Sequence, residues 1–306
     1  MLNVQRLRIL REVVAQGSFS AAGEALSYTQ SAVSQAVATL EGEVGTVLLE
    51  RDRQGVRPTE AGAALIGHAD GILARLDAAE ADVAAIAGGR GGKLRIASFP
   101  TAGATLMPLA VARFREAYPE VELSLAEGEP DEIGPRLRAG EFDLALLFEF
   151  HGVSEKLGSR VHRTELFEDP MHLALPQGHR LAEKPVVILE DLREEPWVQT
   201  SSSSPCARHV VRSCHAAGFE PSVSFESDDY LTVMGLVAAG VGVALIPQLA
   251  LGGARDDVTV RPLHPQSPVR TIIAATGTGA AETPATTAMR EVLGDVARDY
   301  EKSRPT

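Results

Sequence analysis

Two cysteines in 306 residues are too few for a disulfide framework, so a reducing, cytoplasmic setting is the expectation. No apolar run approaches the roughly 20 residues of a membrane span. Arg6, Arg8 and Arg11 interrupt the apolar positions of the N-terminus, which therefore lacks the pattern of a secretory signal. Positive charge is short: 29 Lys and Arg against 41 Asp and Glu leave a formal net charge of −12. That excludes a protein that grips polyanions over its whole surface, and any nucleic-acid contact must be local. Catalytic signatures are missing too, with no Gly-x-Ser-x-Gly, no His-Glu-x-x-His and no cysteine pair at zinc-finger spacing. The glycine-rich run 88–92 is no phosphate loop, because Leu94 stands where Ser or Thr should bind magnesium. Gly240-Val241-Gly242 lacks the third glycine of a nucleotide signature, since Leu245 occupies that place. No catalytic residue, metal site or cofactor is expected.

What is present suits two or three globular domains: 306 residues, 44% apolar and 23% charged. The stretch Gly17 to Glu41 reads as two short helices joined by a tight turn. Val33, Val37, Leu40 and Val44 fall at steps of four, three and four, one apolar stripe of a helix. Its opposite face carries Ser31, Ser34, Gln35 and Ala38, with Gln30 at the start. A face that merely meets water collects Lys and Glu. This one is small, uncharged and rich in hydrogen-bonding groups, as a helix needs to enter a major groove and pair with base edges. Before it, 4–16 is a helix with Asn3 as cap and Gly17 as stop. Ser18 or Ser20 caps the next helix, and Thr29 caps the third. Val47 to Leu49 then read as a strand, Asp52 to Gly55 as a turn, and Val56 opens a second strand. Arg51, Arg53 and Arg57 cluster on this hairpin, a candidate wing against phosphate or the minor groove. The first 58 residues hold six Arg, no Lys and six acids, so one such head binds DNA weakly and pairing must raise the affinity.

A pairing element follows. Thr59 caps a long helix that runs to about residue 87. Within it Leu65, Ala69, Ile72, Leu76, Ala79, Val83 and Ile86 alternate steps of four and three without a break. That heptad seam is the pattern of helices paired along their length.

The motif string Gly17-Ser18-Phe19, Ala21-Ala22, Leu26, Thr29-Gln30-Ser31-Ala32-Val33-Ser34, Leu40-Glu41, Gly45, Leu48, Glu50-Arg51 and Thr59-Glu60-Ala61-Gly62 resembles the winged helix-turn-helix of the LysR-type transcriptional regulators. The resemblance covers residues 3–62, and the layout of the remainder agrees with it. Leu49 departs from the Phe usual in the family, Pro58 from Leu, and Gln35 from the Arg of many members. The resemblance implies that Gln30, Ser31, Ser34 and Gln35 face base edges and Arg53 the minor groove. It also implies duplex DNA with a dyad operator, a homodimer or a tetramer built as a dimer of dimers, RNA polymerase as a further partner, and no membrane.

The expected fold class is an α+β multidomain chain: a winged helix-turn-helix head at 1–58, a dimerisation helix and hinge at 59–92, and a two-lobed α/β effector domain at 93–306. Strand–helix alternation from Lys93 to Phe148 predicts a βαβαβ unit with a parallel sheet. A second set begins near Leu166 with the strand MHLAL, and a strand at 269–275 with a helix at 283–300 returns to the first lobe. Lobe 1 is then 93–163 with 268–306, and lobe 2 is 164–267, an arrangement that resembles the periplasmic solute-binding fold. In such sheets ligands bind beyond the carboxyl ends of strands, at helix N-termini. Ser98, Phe99 and Thr101 follow the first strand, Gly128 the second, and Thr200, Ser201 and Ser202 open the helix after WVQT. Hydroxyls and amides in these places suit a small-molecule effector that is a carboxylate or another anion. Glu127 and Glu129 near the mouth either weigh against an anion or imply a ligand that carries a cation too.

Cys206 and Cys214 lie eight apart on one predicted helix, about 12 Å between Cα atoms, and cannot bridge without unfolding it. The spacing is one residue short of the redox pair that the peroxide-sensing branch of the family keeps in this region. Two readings stand beside the effector-responsive DNA-binding regulator. One is a thiol-based redox regulator using Cys206 and Cys214, and the other a small-molecule-binding protein with an incidental helical module.

Overall fold

The structure, a computed structural model, describes residues 2–52, 55–88, 92–150, 161–253, 255–265, 267–277 and 283–304; side chains at 51, 52, 77, 78, 81, 82, 84–88 and 253 are outside the description. The chain divides into two compact units, 1–93 with 136–142, and 94–135 with 143–306. No helix among the described residues is long and apolar enough to cross a membrane.

In the first unit, local capping chemistry sets the helix ends. The Asn3 side chain accepts from the Gln5 and Arg6 amides to start α1 (Val4–Gln16), and Gly17, at φ 61°, stops it. Ser18 caps α2 (Phe19–Leu26), Ser27 closes it in the left-handed region, and the Thr29 hydroxyl accepts from Ala32 N at the start of α3 (Gln30–Val44). The α2–α3 turn is tight enough that a Cβ on Gly23 would stand 2.8 Å from the Tyr28 carbonyl oxygen. Leu7, Leu10, Val13, Phe19, Ala22, Val33, Val37 and Leu40 form the core.

An antiparallel hairpin follows, β1 (Leu49–Asp52) and β2 (Gly55–Pro58), with Leu49 opposite Pro58. The first strand thus starts where the sequence reading ended it, and Val47 is exposed. The Glu41 carboxylate ties the hairpin to α3 by accepting from the Leu48 and Leu49 amides at 2.8 and 3.3 Å. Thr59 then starts α4 (Glu60–Gly88), its hydroxyl accepting from Gly62 N and donating to Val47 O.

Gly62 is where α4 meets the hairpin: a Cβ there would stand 2.0 Å from the Leu48 carbonyl oxygen. That oxygen is backbone, held by the Thr59 amide at 2.9 Å, and cannot swing aside. Gly62→Ala is expected to destabilise the head by about 3 kcal/mol through overpacking. Gly42→Ala, which meets nothing within 4 Å on α3, should leave it level or raise it by up to about 1 kcal/mol. Thermal melts of the two variants by circular dichroism check the contrast.

The chain then runs β3 (Lys93–Ser98), α5 (Pro100–Ala117), β4 (Glu122–Glu127), α6 (Pro130–Ala139), β5 (Leu144–Phe150), β6 (Val161–Pro176), β7 (Pro196–Gln199), α7 (Pro205–Ala216), β8 (Ser222–Glu226), α8 (Tyr230–Ala238), β9 (Ala244–Pro247), β10 (Val258–Arg261), β11 (Val269–Gly277) and α9 (Pro284–Ser303), all in the second unit except Lys93 and the last turn of α6 from Arg136. Its main sheet has the order β10-β6-β11-β5-β3-β4, with β9 also on β6, and β7 pairs β8 in parallel. Leu144 to Leu147 are all fully buried, as a central strand covered on both faces requires.

The parallel pairing expected of the βαβαβ unit is present between β3 and β5, and β11 joins the sheet antiparallel to both β5 and β6, so the whole sheet is mixed. One expectation needs correcting. The short strand expected at MHLAL is the second half of β6, a 16-residue strand. Its first half pairs with β11 as far as Pro170 opposite Val269, and from Met171 it pairs with β9 instead. One continuous strand thus carries the chain from one lobe to the other. Gly240-Val241-Gly242 is a backbone device, since Gly240 takes φ 75° and a Cβ on Gly242 would lie 2.6 Å from the Pro196 carbonyl oxygen.

Candidate DNA-reading face and effector cleft

On α3 the burial alternates as the stripe requires. Val33, Val37 and Leu40 are buried, while Gln30, Ser31 and Gln35 are exposed and Ser34 is half-buried. The Ser31 hydroxyl lies 3.0 Å from that of Thr29, so it belongs to the cap as well as to the outer face. The Arg51 side chain and the whole of Arg53 lie outside the described residues, so their placement against DNA rests on the sequence alone.

Along α4 the seam changes character. Ala69 is fully buried and Leu65 packs beside it in the core of the head. Ile72, Leu76 and Val83 are 43%, 37% and 66% exposed, and Ala79 is exposed too. Large apolar side chains at that exposure, at heptad spacing, lack cover within their own unit. The Ile86 side chain lies outside the described residues.

In the second unit a cleft forms between the start of α5, the Glu129 turn before α6, the 200–206 segment and the start of α8. Its empty volume is about 270 Å³ including the mouth. At its floor Arg270 on β11 is 1% exposed. Its Nε donates to Asp169 Oδ2 at 2.9 Å, and Nη2 lies 2.9 Å from the same oxygen and donates to Thr101 Oγ1 at 2.7 Å. Nη1 meets Cys206 Sγ at 3.7 Å, and the guanidinium stacks over the Phe99 and Phe148 rings. Burial opposes the guanidinium charge, but the Asp169 carboxylate more than offsets this and holds Arg270 cationic.

The expected ligand residues separate into two groups. Phe99, Thr101 and Thr200 line the cleft. Ser98, Gly128, Ser201 and Ser202 are not among its lining residues and bond within the protein instead. The Ser98 hydroxyl donates to Phe99 O, and Gly128 N donates to Ser98 O. Ser201 N donates to Asp228 Oδ1 at 3.0 Å and Ser202 N to Glu226 Oε2 at 3.1 Å. The amides expected to meet an anion therefore already hold protein carboxylates. Ser204 is the α7 cap, accepting from Ala207 N, and its hydroxyl lies 2.6 Å from that of Thr200.

With both sites described, the likeness to known proteins becomes specific. The family profile described as "Bacterial regulatory helix-turn-helix protein, lysR family" matches residues 4–63, and "LysR substrate binding domain" matches residues 87–298. The chain belongs to the LysR family of bacterial transcriptional regulators. The "Probable HTH-type transcriptional regulator LrrA" of Synechococcus elongatus is 32% identical, over 97% of this chain and 98% of its own. A "Hydrogen peroxide-inducible genes activator" of Dickeya chrysanthemi is 28% identical, over 89% of this chain and 88% of its own. The crystal structure of full-length CbnR complexed with its target DNA shares the fold, with a TM-score of 0.70, 21% identity and coverage of 96% of this chain and 100% of that one.

This LysR-type regulator is a sequence-specific DNA-binding protein with a small-molecule effector domain, and it is not an enzyme. The sequence does not single out Arg270, Asp169 or Tyr230, and it places Glu129 only near the mouth; Asp228-Asp229 reads there as a helix cap, a role that Asp229 alone fills while Asp228 accepts from Ser201 N. The Tyr230 hydroxyl is buried beside the Cys206 thiol with no hydrogen bond of normal geometry. Glu129 Oε2 is buried without a partner among the described residues, and desolvation pushes its carboxyl up to about 7, against the pull of Arg270.

Proposed function

We propose that Gln30, Ser31, Ser34 and Gln35 read base edges in a dyad operator, with Arg51 and Arg53 of the hairpin on the backbone or minor groove. The head is residues 1–58, and the 59–92 segment pairs protomers through Ile72, Leu76, Ala79, Val83 and Ile86, giving a homodimer or a dimer of dimers that works with RNA polymerase in the cytoplasm. The effector domain is 93–306, and its cleft takes a small molecule with a carboxylate or other anionic group, met by Thr101, Thr200 and Arg270. Ligand and DNA each shift the other's affinity by the same factor. The observation that carries the reading is α3 itself: capped at Thr29, anchored by Val33, Val37 and Leu40, and uncharged on its outward face.

A gel shift on the DNA upstream of its own gene, at several salt concentrations, tests it. Wild-type binding should weaken steeply with salt. Gln35→Ala should lose roughly 10–100-fold with the head still folded, the worth of about 1–3 kcal/mol of base recognition. Unchanged specific binding by Gln35→Ala would remove that residue from the reading face.

A second reading rests on Cys206, whose thiol lies in the cleft wall against Arg270, and on the peroxide-inducible activator among the relatives. A thiol beside a fixed cation is open to oxidation. Against it, burial pushes both thiols up, Cys214 to about 12, and both lie along the single helix α7. Binding toggled by reductant in the wild type but not in Cys206→Ser would put the thiol reading first.

A further inference from the structure

We infer that the ligand of this cleft is an amino-acid-like zwitterion, its ammonium held by the Glu129 and Asp228 carboxylates and its carboxylate by the Thr101, Tyr230 and Arg270 donors. The inference rests on the reading of the cleft as the effector site and adds the charge that the effector must carry.

Charge balance in the cleft comes first. Among the described residues that line it Arg270 is the one cation, and the buried Asp169 carboxylate at 2.9 Å already neutralises it. The two carboxyl groups that line the cleft are those of Glu129 and Asp228. Glu226 adds a third carboxylate close by, on the Ser202 amide. A simple carboxylate entering here would add negative charge with no cation to offset it, in a site that strips its water. A simple cation would satisfy the acids and leave the donors at the other side unused. The cleft has both kinds of group, so a ligand with both kinds of charge satisfies it.

Unmet hydrogen-bonding capacity divides the same way. On the acidic side Glu129 Oε2 is buried with no partner among the described residues, an acceptor site that an ammonium N–H would fill. On the donor side Thr101 Oγ1 accepts from Arg270, which leaves its own proton free to donate. The Tyr230 hydroxyl is buried and without a normal hydrogen bond among the described residues, and Arg270 Nη1 faces the soft acceptor of the Cys206 thiol. The Ser201 and Ser202 amides cannot serve, because Asp228 and Glu226 hold them.

A pH signature follows. Glu129 faces Arg270 on β11, Asp131 and Glu132 on α6, and Asp228 before α8, with Cys206 and Tyr230 across the cleft; desolvation by burial dominates over these charges and holds its carboxyl near 7. Binding an ammonium favours the ionised carboxylate and releases its proton. Affinity should then rise as pH goes from 6 to 8, while the ligand's ammonium stays charged.

The experiment titrates the full-length protein with each of the twenty proteinogenic amino acids by thermal shift. The best binder is then compared by calorimetry with its decarboxylated amine and its deaminated acid. At least one amino acid should bind, and both counterparts should bind at least 10-fold more weakly. Glu129→Gln should weaken the amino acid at least 10-fold with its circular dichroism unchanged, and should lose the rise with pH. An acid counterpart that binds as tightly as the amino acid, or a Glu129→Gln variant that binds it as tightly as wild type, overturns the inference. If simple carboxylates bind and Thr101→Val abolishes that binding, the effector cleft stands and the ammonium is removed from it. Silence from every amino acid removes the zwitterion outright, and silence from the carboxylates as well removes the effector-cleft reading with it.

Discussion

Asp169→Ala is expected to destabilise the effector domain by about 3–5 kcal/mol, the cost of leaving a buried charge without its partner. Asp169 is fully buried and Arg270 1% exposed, and they face each other across the β6–β11 ladder. The carboxylate does two jobs: Oδ2 takes the guanidinium Nε–H with Nη2 also 2.9 Å away, and Oδ1 accepts from Leu249 N at 3.0 Å. Removing it strands both the guanidinium and a buried amide. Urea unfolding followed by Trp197 emission measures the loss, because Trp197 is the sole tryptophan and is wholly buried in the same unit. Arg270→Ala should cost a similar amount by stranding the carboxylate. The paired replacement Asp169→Leu with Arg270→Met should recover much of either loss, since burying an ion pair is seldom better than packing apolar groups of like volume. A loss under about 1 kcal/mol for Asp169→Ala would mean that water reaches the guanidinium. The position of the pair gives the test a functional side. It sits one residue before β6 leaves β11 for β9, where Val269 stands opposite Pro170 and Met171 opposite Pro247. The double variant should therefore fold yet lose response to any ligand that uses Arg270.

How much of this was legible in the sequence depended on how local each signal is. Asn3, Ser18, Thr29 and Thr59 act on amides two or three residues away, so the helix starts of the head could be read from the chain alone. The stripe of α3 was legible for the same reason. The long strand β6 was not, because Pro170 and the charged residues from His162 to Asp169 mask the strand pattern that only MHLAL shows clearly. In the cleft, Thr101 and Thr200 were found because a hydroxyl after a strand and before a helix is a local motif. Arg270 was missed because it meets Thr101 across 169 residues of sequence. Its one local signal is a lone arginine in the otherwise apolar and small stretch around 269–275, a residue that a buried strand tolerates only with a partner. The seam on α4 shows a different limit. Periodicity identifies the apolar face but not what covers it, and Leu65 and Ala69 turn out to serve the head's own core.

That division within the seam shapes the test of pairing. Ile72→Lys with Leu76→Lys places two charges on the exposed part and leaves Leu65 and Ala69 in the head undisturbed. The variant should sediment as a monomer and bind operator DNA about 10²–10⁴-fold more weakly, the loss of a second linked contact. The drop should be that large because a single head contributes little alone: its first 58 residues balance six Arg against six acids, so phosphate attraction is weak and each head reads one half-site. Circular dichroism and unchanged weak binding to an isolated half-site would show that the heads themselves are intact. A doubly substituted protein that stays dimeric with wild-type affinity would place the protomer contact elsewhere than on α4. A protein that becomes monomeric yet keeps full affinity would instead mean that one head suffices, and the balance of charge in those 58 residues would then need base contacts far stronger than Gln and Ser supply.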